Sequence, residues 1–596
     1  MTDTRPPSAS PFSIGLASGD QRHAIELAMT RALDERWPER LFAKDPTLWS
    51  ADPRRHRAIV ERLGWIDAPS HFIDQIPALE AFGEGIRDSG FSAAIVAGMG
   101  GSSLAPDVLW RTFGLQEGWL EIRVLDSTDP MAVATTVDDL DPLSTLFVVS
   151  TKSGTTVETL AFQADAWARL EAALRARHAP RNEHAGDLMV AITDPGRSLE
   201  ALPHHDELRE VFLNPPDVGG RYSAMTYVGL APASLIGLDL DPLIASAMTM
   251  LGACHEPDPV ANPGASLGVA IGALAALGRD KLTFLPDPEI AALGAWLEQL
   301  IAESTGKAGI GIVPIDGEPL GPPASYGDDR TFVRLTLAGS EGLSGADALA
   351  ASLEAAGHPV IRIEMSDPID VGGEFIRWEV ATAIAGIVLG IDPFDQPNVE
   401  EAKDRTRRLL EPPRDRAVTA VPLVAVDGLT LYGDAELRLT GNGHPTFVGE
   451  LRRHLARRKP GAYLALQGFL APTEGRTAEF GKIRSVLMAG TRCATTAGYG
   501  PRYLHSTGQL HKGGPPTGWF IQLTADHPVD RGIAGWPYTF GQLIDAQAAG
   551  DFEAIEAHDL PILRVHLGRD PDAGLTALRQ ALADALEPSP SPVLEG

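Results

Sequence analysis

The sequence predicts an α/β protein built on parallel sheets. Short runs that are almost wholly apolar alternate with longer helix-like stretches, the pattern of strands covered on both faces. Several of these runs also end in glycine- or hydroxyl-rich loops that lead into the next helix, where open α/β sheets place their ligands. The chain has 596 residues, enough for two to four domains at roughly 150 residues each.

Residues 1–90 read as a helical segment. Leu27, Ala28, Ala32 and Leu33 mark an amphipathic stripe, and Trp37, Leu41 and Phe42 continue an apolar face. A first α/β domain is expected over 91–240, with strands at FSAAIVAG (91–98), EIRVLDS (121–127), LFVVST (146–151) and DLMVAITD (187–194), and a helix at about 156–175. A second is expected over 241–410, with strands KLTFL (281–285), FVRLTL (332–337) and PVIRIEM (359–365) and long helices near 289–304 and 375–389. EPPRDRAV (411–418) reads as a linker into a C-terminal α/β region, 411–596, with strands AYLALQGF (462–469), FIQLTA (520–525) and PILRVHL (561–567). Phe332-x-x-Leu335-Thr336 recurs as Phe520-x-x-Leu523-Thr524, and Pro359-x-x-Arg362 as Pro561-x-x-Arg564. The echo fits either a duplicated α/β unit or two strands built independently from the same grammar.

Composition excludes several functions. Lys and Arg number 50 against 79 Asp and Glu, a net charge of −29, which is wrong for a nucleic-acid binder or an anionic membrane surface. Cys254 and Cys493 are the sole cysteines, so neither a disulfide framework nor a multi-cysteine metal site is expected. The start, MTDTRPPSASPF, lacks the basic and apolar regions of a secretory signal, and no apolar run reaches spanning length. A cytoplasmic protein is the expectation.

Six segments could carry chemistry. The loop GMGGSS (98–103), with Gly101 and Ser102, ends a strand and opens a helix whose free N–H groups suit an anion. A plain tight turn would look the same. A dinucleotide site using Asp126 is also open, although the spacing is not GxGxxG. STKSGTTVET (150–159) offers Ser150, Thr151, Ser153, Thr155 and Thr156 hydroxyls beside Lys152, a set equally suited to capping a helix and to holding a phosphate. In WLEQLIAESTGKAG (296–309), Gln299 and Glu303 stand one turn apart on one helical face. Gly306 stops that helix, so Glu303 lies in its last turn, where the dipole disfavours a carboxylate and favours a base of raised pKa. STGK here is not a nucleotide P-loop, because the first glycine is missing. VGGRYS places Arg221 behind Gly219 and Gly220, able to meet negative charge. DPFDQPNVEEAK (392–403) sets Gln396 at a helix start and Lys403 two turns on. YLHSTGQLHKGG (503–514) carries His505 and His511 without a carboxylate or cysteine at metal-ligand spacing.

Together these segments resemble the glucose-6-phosphate isomerase (phosphoglucose isomerase) family. The likeness runs through 91–410 in order and takes in the helix-borne His motif near 505. It implies two sugar-isomerase (SIS-type) αβα sandwiches with parallel sheets, joined here by the additional C-terminal region, and a homodimer acting on a small sugar phosphate. AGMGGSS and STKSGTT look like the family's two sugar-phosphate loops, VGGRYS like its Gly-Arg motif, and Gln299-x-x-x-Glu303-Ser-x-Gly306-Lys307 like its catalytic-base signature. FDQPNVEEAK is similar to its Gln…Lys pair. The order departs from the usual one, because the His segment normally falls between the Glu and Gln…Lys motifs. The order here resembles the isomerase half of bifunctional transaldolase/isomerase chains, although 90 residues are too few for a preceding (β/α)₈ barrel.

The resemblance implies a proton transfer from C2 to C1 by Glu303, with Arg221 stabilising the enediolate and His505 with Lys403 opening the ring. It implies phosphate held by Ser102, Thr151, Ser153 and Thr156 near Lys152, with Gly101, Gly220, Gln299 and Gln396 completing the pocket. Neither metal nor cofactor is required by this scheme. His511 stands as the alternative to His505, and which subunit supplies the His is open. So are a non-catalytic SIS-type sugar-phosphate regulator, a dual phosphoglucose/phosphomannose isomerase, and an NAD-dependent oxidoreductase.

Overall fold

The computed structural model describes residues 12–16, 18–178, 183–340, 345–410, 421–440 and 445–587, and for 399, 400, 402 and 403 the backbone alone. The linker expected at 411–418 lies outside the described residues. Three sheets organise the rest.

The first sheet is wholly parallel, in the order Glu121–Leu125, Ala93–Gly98, Thr145–Ser150, Met189–Thr193, Glu210–Leu213. Every residue of Ala93–Gly98 and Thr145–Ser150 is buried, which is why these strands read as unbroken apolar runs. The second sheet runs Phe12–Gly15, Val360–Met365, Arg330–Leu337, Lys281–Pro286, Val313–Ile315. Its strands are parallel except Phe12–Gly15, which pairs antiparallel with Val360–Met365. The third runs Val424–Val426, Leu429–Gly433, Ile562–His566, Gly518–Thr524, Tyr463–Phe469, Ala494–Tyr499; its first two strands are antiparallel and the other four mutually parallel.

The N-terminal segment differs from expectation. It is not helical throughout, because Phe12–Gly15 belongs to the second sheet. In the helix Gly19–Asp34 the inward residues are Gln21, Ile25 and Ala32, and Leu27 and Leu33 are 64% and 53% exposed. The helix packs through Ile25 and Ala28 against Ala270, Ala273 and Leu274, which fixes a rotation about its axis different from the one the two leucines suggest. Trp37 and Leu41 are buried as expected.

The helix Val371–Leu389 is buried on every side from Val371 to Ile387. It lies against Pro263–Ala276 through Gly264, Gly268 and Gly272. A Cβ at these glycines would fall 2.5 Å from Val380 Cγ1, 2.4 Å from Ala381 O and 2.8 Å from Val388 Cβ. Glycine every fourth residue lets the two backbones approach to a distance that side chains would forbid. This rigid pair backs the sheet that carries the Glu303 helix.

Candidate active site

The site draws on all three regions: loops after the strands Ala93–Gly98, Thr145–Ser150, Glu210–Leu213 and Ala494–Tyr499 supply part of it, while Glu303 stands in the last turn of a helix and Gln396 between two helices. The strand Ala93–Gly98 gives way through Gly100, at φ +58°, to the helix Gly101–Phe113. A Cβ on Gly100 would lie 2.7 Å from His505 O and 2.8 Å from Gln299 Nε2, and one on Gly101 1.9 Å from Gly220 O. The glycines of this loop thus admit the base helix, the Arg loop and the His segment to one place.

In the second loop, Thr151 Oγ1 and Thr156 Oγ1 are 3.3 Å apart and Ser153 Oγ lies 3.5 Å from Thr156 Oγ1. Thr156 is the N-cap residue of Val157–Ala176, yet its side chain caps no backbone N–H. Helix capping therefore does not account for this hydroxyl; three hydroxyls converge ahead of a helix N-terminus, the arrangement of an anion cradle. Lys152 turns aside, its Nζ paired with Asp194 and donating to Pro216 O at 3.0 Å.

Glu303, 6% exposed, sits in the last turn of Leu293–Thr305. Its Oε2 accepts from Gln299 Nε2 at 3.1 Å and its Oε1 lies 3.3 Å from Arg221 Nη1. The same Gln299 Nε2 donates to His505 O at 2.8 Å. Arg221, 4% exposed, is fixed at every nitrogen: Nε donates to Ser304 Oγ (2.8 Å), Nη1 to Gln396 Oε1 (2.9 Å) and Nη2 to Pro393 O (2.7 Å). Gln396 lies in the approach to the helix Val399–Leu410, three residues ahead of its start rather than within it. The backbone of Lys403 lies on that helix, and its side chain is outside the described residues.

His505 ends a 3-10 turn, Arg502–His505, ahead of the helix Gly508–Gly513, so it is not carried in the helix itself as expected. Its Nε2 lies 3.1 Å from Glu158 Oε1, which also accepts from Gln547 Nε2 at 2.6 Å. His511 has a different setting. It is 4% exposed, packed among the rings of Tyr463, Tyr503 and Phe520, and burial depresses its pKa well below the ordinary imidazole range. It is part of the third sheet's core.

Three further residues belong to this constellation. Glu158 holds His505, and Gln547 holds Glu158 while accepting from Thr128 at 2.6 Å. Lys307, 4% exposed, donates to Asp395 Oδ1 at 2.9 Å; burial, with Arg221 nearby, lowers its pKa to about 8. Asp126, the acid a dinucleotide site would need, is 3.2 Å from Arg502 Nη1. It thus joins the first sheet to the third region instead of standing at an empty crevice. Among the described residues no cluster of His, Cys, Asp and Glu could hold a metal ion.

Fold and site together define an α/β protein of mostly parallel sheets with a buried carboxylate–guanidinium pair close to a histidine. The phosphoglucose isomerase family model matches residues 70–314. A glucose-6-phosphate isomerase of Rubrobacter xylanophilus is 30% identical over 389 residues, covering 86% of that protein and 56% of this chain. A probable glucose-6-phosphate isomerase of Haloarcula marismortui is 30% identical over 353 residues, 78% of its length and 53% of this chain. Among solved structures, a hypothetical protein of Thermus thermophilus is covered over 100% of its length by 67% of this chain, with TM-score 0.54 and 25% identity. A Chlamydia trachomatis glucose-6-phosphate isomerase gives TM-score 0.50 at 19% identity, covering 92% of that chain and 69% of this one. The chain belongs to the glucose-6-phosphate isomerase family.

Proposed function

We propose that this protein interconverts glucose 6-phosphate and fructose 6-phosphate through an enediolate, with Glu303 as the base. The observation that carries the reading is the unbroken series of contacts Glu158–His505–Gln299–Glu303–Arg221–Gln396. It joins an acid, a base and a fixed cation from all three regions of the chain.

The chemistry follows from the groups. The Glu303 carboxylate takes the proton from C2 of the open-chain aldose, and the electrons left behind form the enediolate. Returning the proton to C1 gives the ketose, so one carboxylate serves both halves. The developing oxyanion is met by Arg221, already fixed by its hydrogen bonds and so needing little reorganisation. Thr151, Ser153 and Thr156 hold the phosphate with Ser102 and the start of Val157–Ala176, and this remote binding aligns C1 and C2 with the base. His505, oriented by Glu158, moves the proton at the ring oxygen, with Lys403 as its partner. A non-catalytic sensor would have no use for the Glu303–Arg221 pair.

The test is a coupled assay of glucose 6-phosphate formation from fructose 6-phosphate, run in parallel with mannose 6-phosphate. Glu303→Gln is expected to keep sugar-phosphate affinity while kcat falls by about 10²- to 10⁴-fold. Wild-type turnover in that variant removes Glu303 as the base.

A further inference from the structure

The third sheet repeats the second. Taken in chain order, the parallel strands of the second sheet are Lys281–Pro286, Val313–Ile315, Arg330–Leu337 and Val360–Met365, and the first of these lies between the second and the third. Tyr463–Phe469, Ala494–Tyr499, Gly518–Thr524 and Ile562–His566 are arranged in the same way. Each sheet also carries an antiparallel strand outside its fourth parallel one, Phe12–Gly15 in one and Leu429–Gly433 in the other. The registers agree residue by residue. Phe332 stands opposite Thr283 and Val360, and Phe520 opposite Ala465 and Ile562. Phe332 N donates to Pro359 O at 3.0 Å and Phe520 N to Pro561 O at 2.9 Å. The first sheet shares the strand order but has a fifth parallel strand, Glu210–Leu213, where the other two have the antiparallel one.

The two copies have divided the chemistry. In the second unit the helix after the first strand bears Glu303, and the segment after the second strand, residues 316–329, contains no histidine. In the third unit the segment after the second strand bears His505. The helix after its first strand, Glu474–Thr491, sends Arg484 to the carbonyls of Asp316 and Gly317 at 2.8 Å each. The units meet along their corresponding edge strands, where Thr495 N donates to Glu318 Oε1 at 2.7 Å.

We propose that the third unit is a diverged duplicate of the second that has taken over the histidine's part of the chemistry, so that each chain completes its own catalytic site with His505 supplied in cis. A dimer of whole chains would then hold two self-contained sites. This rests on the roles given to Glu303 and His505 above.

The test is complementation between full-length chains. Glu303→Gln and His505→Asn are assayed alone, mixed after purification, and co-expressed with separate tags, their folding checked by thermal melting. Both singles are expected to be inactive and the mixed populations no better. Sites shared between chains would instead restore about a quarter of wild-type activity, since half of the pairs would be mixed and each would hold one intact site of two; that result overturns the proposal. Wild-type specific activity is expected to stay level from about 1 nM to about 10 μM, and its collapse on dilution overturns the proposal even if a variant misfolds. Wild-type turnover in either single variant refutes that residue's role instead, and the dilution series still decides the proposal.

Discussion

Gly100 is where the His505 turn and the Gln299 amide come closest to the first loop, and Gly100→Ala measures how far activity depends on that closeness. The residue has φ +58°, where a side chain costs about 1–3 kcal/mol of backbone strain. A methyl group there would also stand 2.7 Å from His505 O and 2.8 Å from Gln299 Nε2, well inside van der Waals contact. Relief requires the His505 turn or the Gln299 amide to withdraw by up to about 1 Å, and a displacement of that size in an active site costs about 100-fold in rate. Gly114 supplies the control, because it closes the same helix at φ +65° with nothing within 4 Å of the place a methyl group would take. In the coupled assay, Gly100→Ala should lose about 100-fold in kcat with a smaller change in KM, and Gly114→Ala should lose stability but not turnover. Wild-type kcat in Gly100→Ala would refute the argument that close approach fixes the His505 segment. Equal losses in both variants would show that backbone strain, and not the clash, is the cause.

Other outcomes follow from the same geometry. Arg221→Lys cannot reach Ser304, Gln396 and Pro393 O together, so kcat/KM should fall by about 10²- to 10³-fold with the melting temperature nearly kept; retained activity would show that charge alone suffices. Glu298 lines a cleft of about 830 Å³ between the three regions, with Asp316, Arg484 and Arg502. Burial, with Asp316 nearby, pushes its pKa up to about 8. The folded protein therefore keeps a proton that the unfolded chain releases, and stability falls as pH rises from the ordinary carboxylate range to about 8. Glu298→Gln should raise the melting temperature increasingly between pH 5 and pH 8; a difference that does not change with pH would contradict this. Gln509 is fully buried, and its amide donates to Gly306 O and Asn398 Oδ1 and accepts from Asn398 N. Gln509→Ala should cost about 1–3 kcal/mol for each group left unpaired, seen as a lower melting temperature with reduced kcat. An unchanged melt would show that this stitch between the second and third units does not matter.

The parts of the fold legible in the sequence are those in which local pattern and burial agree. Ala93–Gly98 and Thr145–Ser150 are enclosed on both faces, so their residues are apolar without a break. Ala494–Tyr499 is an equally real strand, but ATTAGY is made of small and polar residues and gives no such signal. Val313–Ile315 is three residues long and contains a proline. Phe12–Gly15 exists because Val360–Met365 offers it an edge, a partner far away in the chain. At the site, the four-residue spacing of Gln299 and Glu303 was enough to put them on one helical face. Nothing local distinguishes Glu158 from any acid welcomed by the first turn of a helix, because its partners His505 and Gln547 come from the third region. Lys307 is similarly silent, since its setting is created by the fold around Asp395 and Arg221.

The pairing of Phe12 with Ile363 makes the first sheet an insertion within the second unit. During synthesis, the opening strand leaves the ribosome long before the edge it joins. At about 5–20 residues per second, it waits roughly 20–70 s for its partner. The first sheet has all its strands by Leu213 and can form meanwhile, but closure of the surrounding unit is a late, long-range event of the kind that slows folding and leaves hydrophobic surface open. Growth of the nascent chain, and not the stability of any one unit, thus sets when the Glu303 helix first has a finished sheet to lean on.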